Sequence, residues 1–405
     1  MNRFVRFVSM AICLLVFASS AKAAGLSADY KKGLRLTSED GAFQWKAGGR
    51  LHFDNSFLNG DDDAGNAADG VEFRRARVFV AGHSYSIMEF KFQLDFAKGS
   101  ASFKDAYMGL KTTPLAGFGV RVGQFHQPFG LETLTSSNYM SFIERAQLSS
   151  FAPDRQAGIL LHRGILDGSA TVAVSAFRHV SSQGKGAGDG LWNGAGRVSF
   201  VPWKGEEKGD LIHVGVAVAR RQNSEDMLEL ELAPESHLSP EYGNLALAAE
   251  NWNQFGSEAA LVFGSLSVQG EFALSKTSAP DQVAKIAFAE DATLSSYYGF
   301  VSFFVTGEKR TYKSSAGVFN RVSPSSNYDG KGGRGALELV ARYSSTDLDD
   351  GDLKAGSLDA VTLGANWYLN PNARVMFNYV RSDGSGGDVR EGVENALLTR
   401  FQIDF

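Results

Sequence analysis

Leu397-Leu398-Thr399-Arg400-Phe401-Gln402-Ile403-Asp404-Phe405 stands last in the sequence. In an extended strand successive side chains point to opposite faces, so Phe401, Ile403 and Phe405 share one face and Arg400, Gln402 and Asp404 the other. An apolar column ending in Phe is what the last strand of a bacterial outer-membrane barrel requires. The N-terminal residues agree. Arg3 and Arg6 form a positive n-region, Met10 to Ala18 an apolar core of nine residues, and Ala21-Lys22-Ala23 an A-x-A cleavage site. Residues 1–23 are therefore expected to be a cleaved signal peptide, and 24–405 a single barrel domain in the outer membrane of a Gram-negative cell.

Composition narrows the alternatives. The apolar stretch of the leader is too short to span a bilayer as a helix, and no later segment is apolar for about 20 residues. The one cysteine, Cys13, lies in the leader, so no disulfide or cysteine metal site is expected. Losing Arg3, Arg6 and Lys22, and no acid, with the leader moves the formal charge from −5 to about −8. That total says little about a pore, whose behaviour follows the charge of its lumen. The 45 glycines against 9 prolines suit many short strands joined by tight turns.

The internal pattern is alternating. In Met88-Glu89-Phe90-Lys91-Phe92-Gln93-Leu94-Asp95-Phe96 every second residue is apolar and its neighbours are polar. Trp45, Leu51 and Phe53 alternate with Lys46, Arg50, His52 and Asp54, and Val361, Leu363, Ala365, Trp367 and Leu369 with Thr362, Asn366 and Tyr368. Lipid-facing and lumen-facing residues alternate in this way around a transmembrane antiparallel β-barrel; an antiparallel sandwich also alternates, but would not explain the two ends. Seventeen runs of strand character occur, and joining 244–254 to 256–263 gives about 16 strands, in keeping with the even numbers of bacterial barrels. Connections at 55–70, 126–156, 222–243, 277–295 and 382–396 are long and most others short. Two break the alternation: 98–101 is short where a long loop is due, and 307–334 is long where a turn is due.

Candidate functional residues follow from parity. In Phe73-Arg74-Arg75-Ala76-Arg77-Val78-Phe79-Val80, the face of Ala76, Val78 and Val80 meets lipid, so Arg75 and Arg77 point into the lumen. A charge on the lipid face at mid-depth costs about 2–4 kcal/mol. Arg74 has the other parity and needs a rim, a bend or a bulge. Arg50, Lys91, Arg121 and Arg374 also face inward by this rule, and Arg163 is assigned to the inner face of its strand. A column of guanidiniums would concentrate anions and offer bidentate phosphate contacts. The competing reading pairs the arginines with Asp54, Glu89, Asp95 and Asp105 in a neutral structural network. Segment 126–156 is long, and Phe129, Leu131, Leu134, Tyr139, Met140, Phe142, Ile143, Leu148 and Phe151 make it too apolar for disorder. It is expected to fold into the lumen as a constriction loop, bringing Arg145 or Arg155 opposite the wall arginines. The acids Asp61-Asp62-Asp63 with Asp69, and Asp347 to Asp352, lack the spacing of an EF-hand and read as solvated outer loops. No G-x-S-x-G elbow and no Walker motif occurs, and neither enzyme chemistry nor a cofactor is expected.

Several of these residues resemble the phosphate-selective porin O/P family: Gly49-Arg50, Phe73-Arg74-Arg75-Ala76-Arg77, Asp95-Phe96-Ala97, Lys104-Asp105-Ala106-Tyr107, Val122-Gly123-Gln124-Phe125 and Pro128-Phe129. Leu134 to Ser137, Glu144-Arg145, Ala152-Pro153 with Arg155, Phe304 to Glu308, Glu338 to Ser344 and Asn366 to Pro371 extend the match. The resemblance implies a sixteen-stranded porin, usually a homotrimer, with its third outer loop folded inward and with phosphate or polyphosphate as solute. Arg50, Arg74, Arg75 and Arg77 fall at the basic wall positions of the family, whereas segment 126–156 has no lysine, and His126 and Asn138 stand where one is plausible. Expected partners are small anions, outer-membrane lipid and lipopolysaccharide, and the barrel-assembly machinery; nucleic acid is not among them. A general diffusion porin and an adhesive or structural barrel remain as alternatives.

Overall fold

The computed structural model describes residues 25–30, 33–60, 69–186, 190–207, 209–222, 227–278, 291–387 and 389–405. The expected signal peptide and Asp61 to Asp63 lie outside the described residues. Sixteen antiparallel strands form a closed barrel: β1 (Gln44–Gly60), β2 (Gly70–Ser84), β3 (Met88–Asp95), β4 (Ser102–Leu110), β5 (Gly119–His126), β6 (Arg155–Ile165), β7 (Ala170–Arg178), β8 (Asn193–Lys204), β9 (Leu211–Gln222), β10 (Asn251–Phe263), β11 (Leu266–Ser278), β12 (Thr293–Phe304), β13 (Ala336–Asp350), β14 (Leu353–Asn370), β15 (Ala373–Ser385) and β16 (Gly392–Asp404). Each pairs with its chain neighbour, and β16 pairs with β1 from Glu394 opposite Gly60 to Asp404 opposite Arg50. Leu26–Tyr30 and Leu34–Ser38 form a hairpin added beside the start of β1.

The alternation read from the sequence is the organising feature. Val78, Val80, Phe92, Leu363, Phe401 and Ile403 are exposed on the outer wall, while Arg75, Arg77, Gln93, Thr362, Arg400 and Gln402 are buried on the inner one. Phe405 completes the seam: its N–H donates to the Gly49 carbonyl at 3.0 Å and its carbonyl accepts the Gly49 N–H at 2.8 Å. A Cβ on Gly48 would stand 2.3 Å from the Phe405 carbonyl oxygen, and one on Gly49 2.7 Å from its ring, so only glycine lets the chain end lie there.

The expected strand total holds, but one element is built differently. Residues 244–254 and 256–263 do not merge. Gly243–Ala248 leaves the barrel to pair with Met227–Leu232 in a separate hairpin, and Asn251–Phe263 alone is the barrel strand. Both runs alternate, and alternation does not say which sheet a strand joins. Asp347 to Asp350 also belong to β13 rather than to an open loop, because β13 and β14 continue as a hairpin to a turn at Gly351-Asp352. The two irregular connections are real. Residues 96–101 join β3 to β4 on the long-loop side, and 305–335 join β12 to β13 on the turn side and carry a small hairpin, Thr311–Lys313 with Val318–Asn320.

Candidate functional site

Three connecting segments make their polar contacts with inward-facing residues of the wall: 127–154 and 227–250 from the long-loop side, and 305–335 from the turn side. The first holds a short helix, Leu131–Leu134, and a 3-10 turn, Gln147–Phe151. Its apolar residues are buried, with Phe129, Leu131, Phe142 and Phe151 at 0–1 % exposure. Phe129 packs where Gly256 leaves the wall bare, within 3.0 Å of a Cβ placed there. The polar contacts are specific. Ser141 Oγ donates to Glu338 at 2.8 Å, the Ile143 N–H to Asn378 Oδ1 at 2.8 Å, and Arg374 Nη1 to the Met140 carbonyl at 2.7 Å. The Glu271 carboxylate accepts the Leu131 and Glu132 N–H groups at 2.7 Å each, satisfying donors that a helix start leaves open.

The other two segments add to this packing. Glu235 on the outer side accepts Arg342 Nε at 2.9 Å, Ser344 Oγ at 2.6 Å and Thr362 Oγ1 at 2.7 Å. On the turn side Tyr312 Oη lies 2.6 Å from His213 Nδ1, Arg197 Nη2 donates to the Gly317 carbonyl at 2.7 Å, and Arg321 pairs with Asp404. Phe319 and Leu131 share one apolar cluster, so segments that start from opposite ends of the barrel meet there.

The candidate cations divide by partner. Arg77 Nε binds Asp95 at 2.7 Å, Lys91 pairs with Asp105, Arg155 Nε binds the same Asp105 at 2.9 Å, and Arg121 Nε binds Glu89 at 2.5 Å beneath a Tyr107 ring 4.9 Å away. The fourth acid, Asp54, is held bidentately by Arg400 at 2.6 and 2.7 Å. All four acids named for a neutral network thus carry a cation. Arg74 and Arg75 converge on Glu144 of segment 127–154, with Arg74 Nε at 2.9 Å. Burial alone would raise the Glu144 carboxyl, but Arg74, Arg75 and Arg400 together hold it well below the usual carboxylate range.

Other cations have no carboxylate at ion-pair distance among the described residues. Arg50 Nη1 donates only to Ser137 Oγ at 2.9 Å and Ser136 Oγ at 3.3 Å. Arg145 turns back on its own segment, donating to the carbonyls of Glu132, Thr133 and Thr135 at 3.1, 3.3 and 2.9 Å, and does not meet the wall guanidiniums directly as expected. Lys104, absent from the sequence-derived candidates, is the third. Arg155 is the common neighbour, within electrostatic reach of Arg50, Arg77, Lys91, Lys104 and Arg145. Of these six cations Arg77, Lys91 and Arg155 pair with Asp95, Asp105 and Asp154, whereas Arg50, Lys104 and Arg145 have no acid at ion-pair distance among the described residues. Arg374 faces inward but is buried and fixed to Gln402 and Met140. Arg163 is not on the inner face: it shares the outward parity of Ile159 and donates to the Ala116 carbonyl at the turn-side rim.

Two bulges explain what strict alternation missed. Between His52–Arg75 and Phe53–Phe73 the register skips Arg74, and between Phe92–Ala106 and Leu94–Phe103 two residues, Lys104 and Asp105, oppose Gln93. At such a site consecutive side chains can turn to one face. Arg74-Arg75 and Lys104-Asp105, adjacent charges inside otherwise alternating strands, were the available signal.

Residues 45–405 match the family model "Phosphate-selective porin O and P". Porin O of Pseudomonas aeruginosa is 27 % identical, the alignment covering 98 % of each chain, and an uncharacterised protein of Caulobacter vibrioides is 27 % identical over 93 % of this chain and 76 % of its own. Among solved structures, the anion-selective porin of Comamonas acidovorans superposes with a TM-score of 0.55 at 14 % identity, covering 89 % of this chain and 99 % of that one. The outer-membrane channel DcaP of Acinetobacter baumannii gives 0.56 at 10 % identity, covering 91 % and 99 %; these two likenesses concern the fold.

Proposed function

This chain belongs to the phosphate-selective porin O and P family, and on that basis we propose that it is an outer-membrane porin passing small anions passively, phosphate first among them. The observation that carries the reading is the cluster of cations around Arg155, where Arg50, Lys104 and Arg145 have no acid at ion-pair distance among the described residues while Arg77, Lys91 and Arg155 pair with Asp95, Asp105 and Asp154. Segment 127–154 is the constriction in this reading. Its Ser136 and Ser137 hydroxyls contact Arg50, and its Arg145 shares the neighbour Arg155 with Arg50, so in this reading a passing phosphate exchanges part of its hydration shell for guanidinium, ammonium and hydroxyl donors. A charge-assisted contact of this kind contributes on the order of 1.5–3 kcal/mol, enough to favour entry and, spread over several sites, weak enough to allow exit. Lys91 and Arg121 continue the basic lining toward the turn side. Residues 1–23 act as the export signal, and the working unit is a homotrimer, as OmpT of Vibrio cholerae is in its trimer form.

The paired acids favour a second reading, a general diffusion porin with a neutralised lumen. The reversal potential of the reconstituted protein in a salt gradient separates the two. Anion preference at moderate salt, declining as the Debye length falls to about 3 Å at 1 M, is expected; cation preference or none overturns the proposal. Deletion between Leu131 and Ala152 should raise single-channel conductance and weaken phosphate block of chloride current. If neither changes, the segment is not the constriction.

A further inference from the structure

The connection between β12 and β13 carries a second feature, at the barrel's rim. After Val322, which is buried with Phe304, Ala336 and Tyr368, the chain crosses to the outer wall of β14. There the Tyr328 N–H donates to the Leu369 carbonyl at 2.7 Å, and Trp367 Nε1 to the Arg334 carbonyl at 2.9 Å. The rings of Tyr328 and Trp367 meet edge to face at 5.0 Å. Trp367 shares the lipid-facing parity of Val361 and Leu363 and lies close to the turn that follows Asn370. That is the depth at which barrels place aromatic girdles, at the boundary of hydrocarbon and headgroups.

The bend is fixed from within. Asp329 Oδ1 accepts the N–H groups of Lys331, Gly332 and Gly333 at 2.7, 3.0 and 3.0 Å, so its charge is held against backbone rather than against a cation. The result is an open cavity of about 400 Å³ lined by Tyr328, Gly330, Gly332, Gly333, Arg334 and Trp367. Arg334 is exposed in its lining, Lys331 is exposed on the same bend between the lining residues Gly330 and Gly332, and neither has a carboxylate at ion-pair distance among the described residues.

We propose that this cavity binds the phosphate-bearing headgroup of an anionic phospholipid in the leaflet on the turn side of the barrel. A guanidinium presents a planar fork that matches phosphate oxygens, and an adjacent ammonium adds a second charge. The aromatic walls are amphipathic and suit an interfacial ligand, and Leu363 and Leu339 continue outward from the site as the apolar surface along which acyl chains would lie. A soluble anion would gain nothing from that column. The inference depends on the barrel spanning a membrane and is independent of which ion the lumen prefers.

Native mass spectrometry of the full-length folded protein, exposed to phosphatidylglycerol or to phosphatidylcholine, tests it. Phosphatidylglycerol should be retained at least about fivefold more than phosphatidylcholine, since a surface cation favours anionic lipid by about that factor. The double variant Lys331→Gln/Arg334→Gln should fall to the phosphatidylcholine level with its heat-modifiable fold and its conductance intact. Lys354→Gln, at the opposite end of the barrel, should retain the wild-type preference. Equal retention of the two lipids by the wild type overturns the proposal, as does a preference that survives the double variant. Complete displacement of phosphatidylglycerol by an equal concentration of inorganic phosphate would also overturn it, since the site would then recognise a free anion rather than a lipid.

Discussion

The strands β1–β6 and the strands β8–β16 both carry arginines on their inner faces, yet use them in opposite ways. In the second group Arg197, Arg342, Arg374 and Arg400 are at most 5 % exposed, and their donors end on carboxylates or carbonyls of the segments packed against them. Small inward residues around them, Ala195, Ala217, Ala219, Gly256 and Ala273, make the room that those segments fill. In the first group Arg75 and Arg77 are buried too, Arg75 beside Glu144 and Arg77 on Asp95, but Arg50, Lys91, Lys104, Arg121 and Arg155 stay partly exposed, and long side chains replace the small ones. A guanidinium therefore has no fixed meaning in a lumen. What surrounds it decides whether it joins protein to protein or remains available to a passing ion.

The largest effect should come from the joining kind. Arg400→Ala would leave Asp54 and Glu144 without their shared cation and free the Ile143 carbonyl. Breaking a buried pair typically costs about 3–5 kcal/mol, so the urea midpoint of the folded barrel should fall clearly. A similar fall for Arg50→Ala would erase the distinction between the two groups. Arg50→Gln should instead act on transport, weakening phosphate block of chloride current about tenfold or more if one charge-assisted contact is lost; unchanged block would place Arg50 with the structural arginines.

Acidification sharpens the comparison further. Glu144, ordinarily titrating near 4.5, is held well below that value when docked, so its contribution is present above the ordinary value and is lost only as pH falls through the lower one. Glu132 is shifted the other way: burial raises it against the pull of Arg342, so protonating it relieves a strain on the docked state as pH falls from neutral. Resistance of segment 127–154 to proteolysis should therefore hold, or rise slightly, between neutral pH and about pH 5; earlier release would mean that Glu144 does not clamp it. The smallest effect belongs to Arg74→Ala. Its side chain is 21 % exposed, and Arg75 and Arg400 remain beside Glu144, so the change in stability should stay below about 1 kcal/mol. A fall matching that of Arg400→Ala would show Arg74 to be a principal clamp.

The barrel was legible because one physical rule, alternation at a wall with lipid outside, governs nearly every strand and is visible in single residues such as Val78 beside Arg77. Hairpin Met227–Leu232 with Gly243–Ala248 escaped because its alternation is the same while its partner sheet is different. Arg50, Arg77, Lys91 and Arg121 were placed inward by parity alone. Lys104 escapes the rule because a bulge changes parity locally, and the turn of Arg145 onto its own segment, rather than straight toward the wall arginines, is not legible because sequence does not reveal which carbonyls a loop turns toward a guanidinium. The acids that neutralise Arg77, Lys91 and Arg121 could be named but not matched, since cross-strand pairing depends on register.

The seam between β1 and β16 also sets an order of events. Arg400 and Asp54, joined across it, are 346 residues apart in the chain. Ribosomes release β1 first among these strands and β16 last, so the first strand must wait for the whole of the intervening polypeptide before its edge is covered. Closure of a loop this long is slow, and an open strand edge is a template for unwanted pairing in the meantime. The same pairing that leaves the finished wall without an edge thus makes the unfinished chain dependent on being kept apart from its own copies until its final strand arrives.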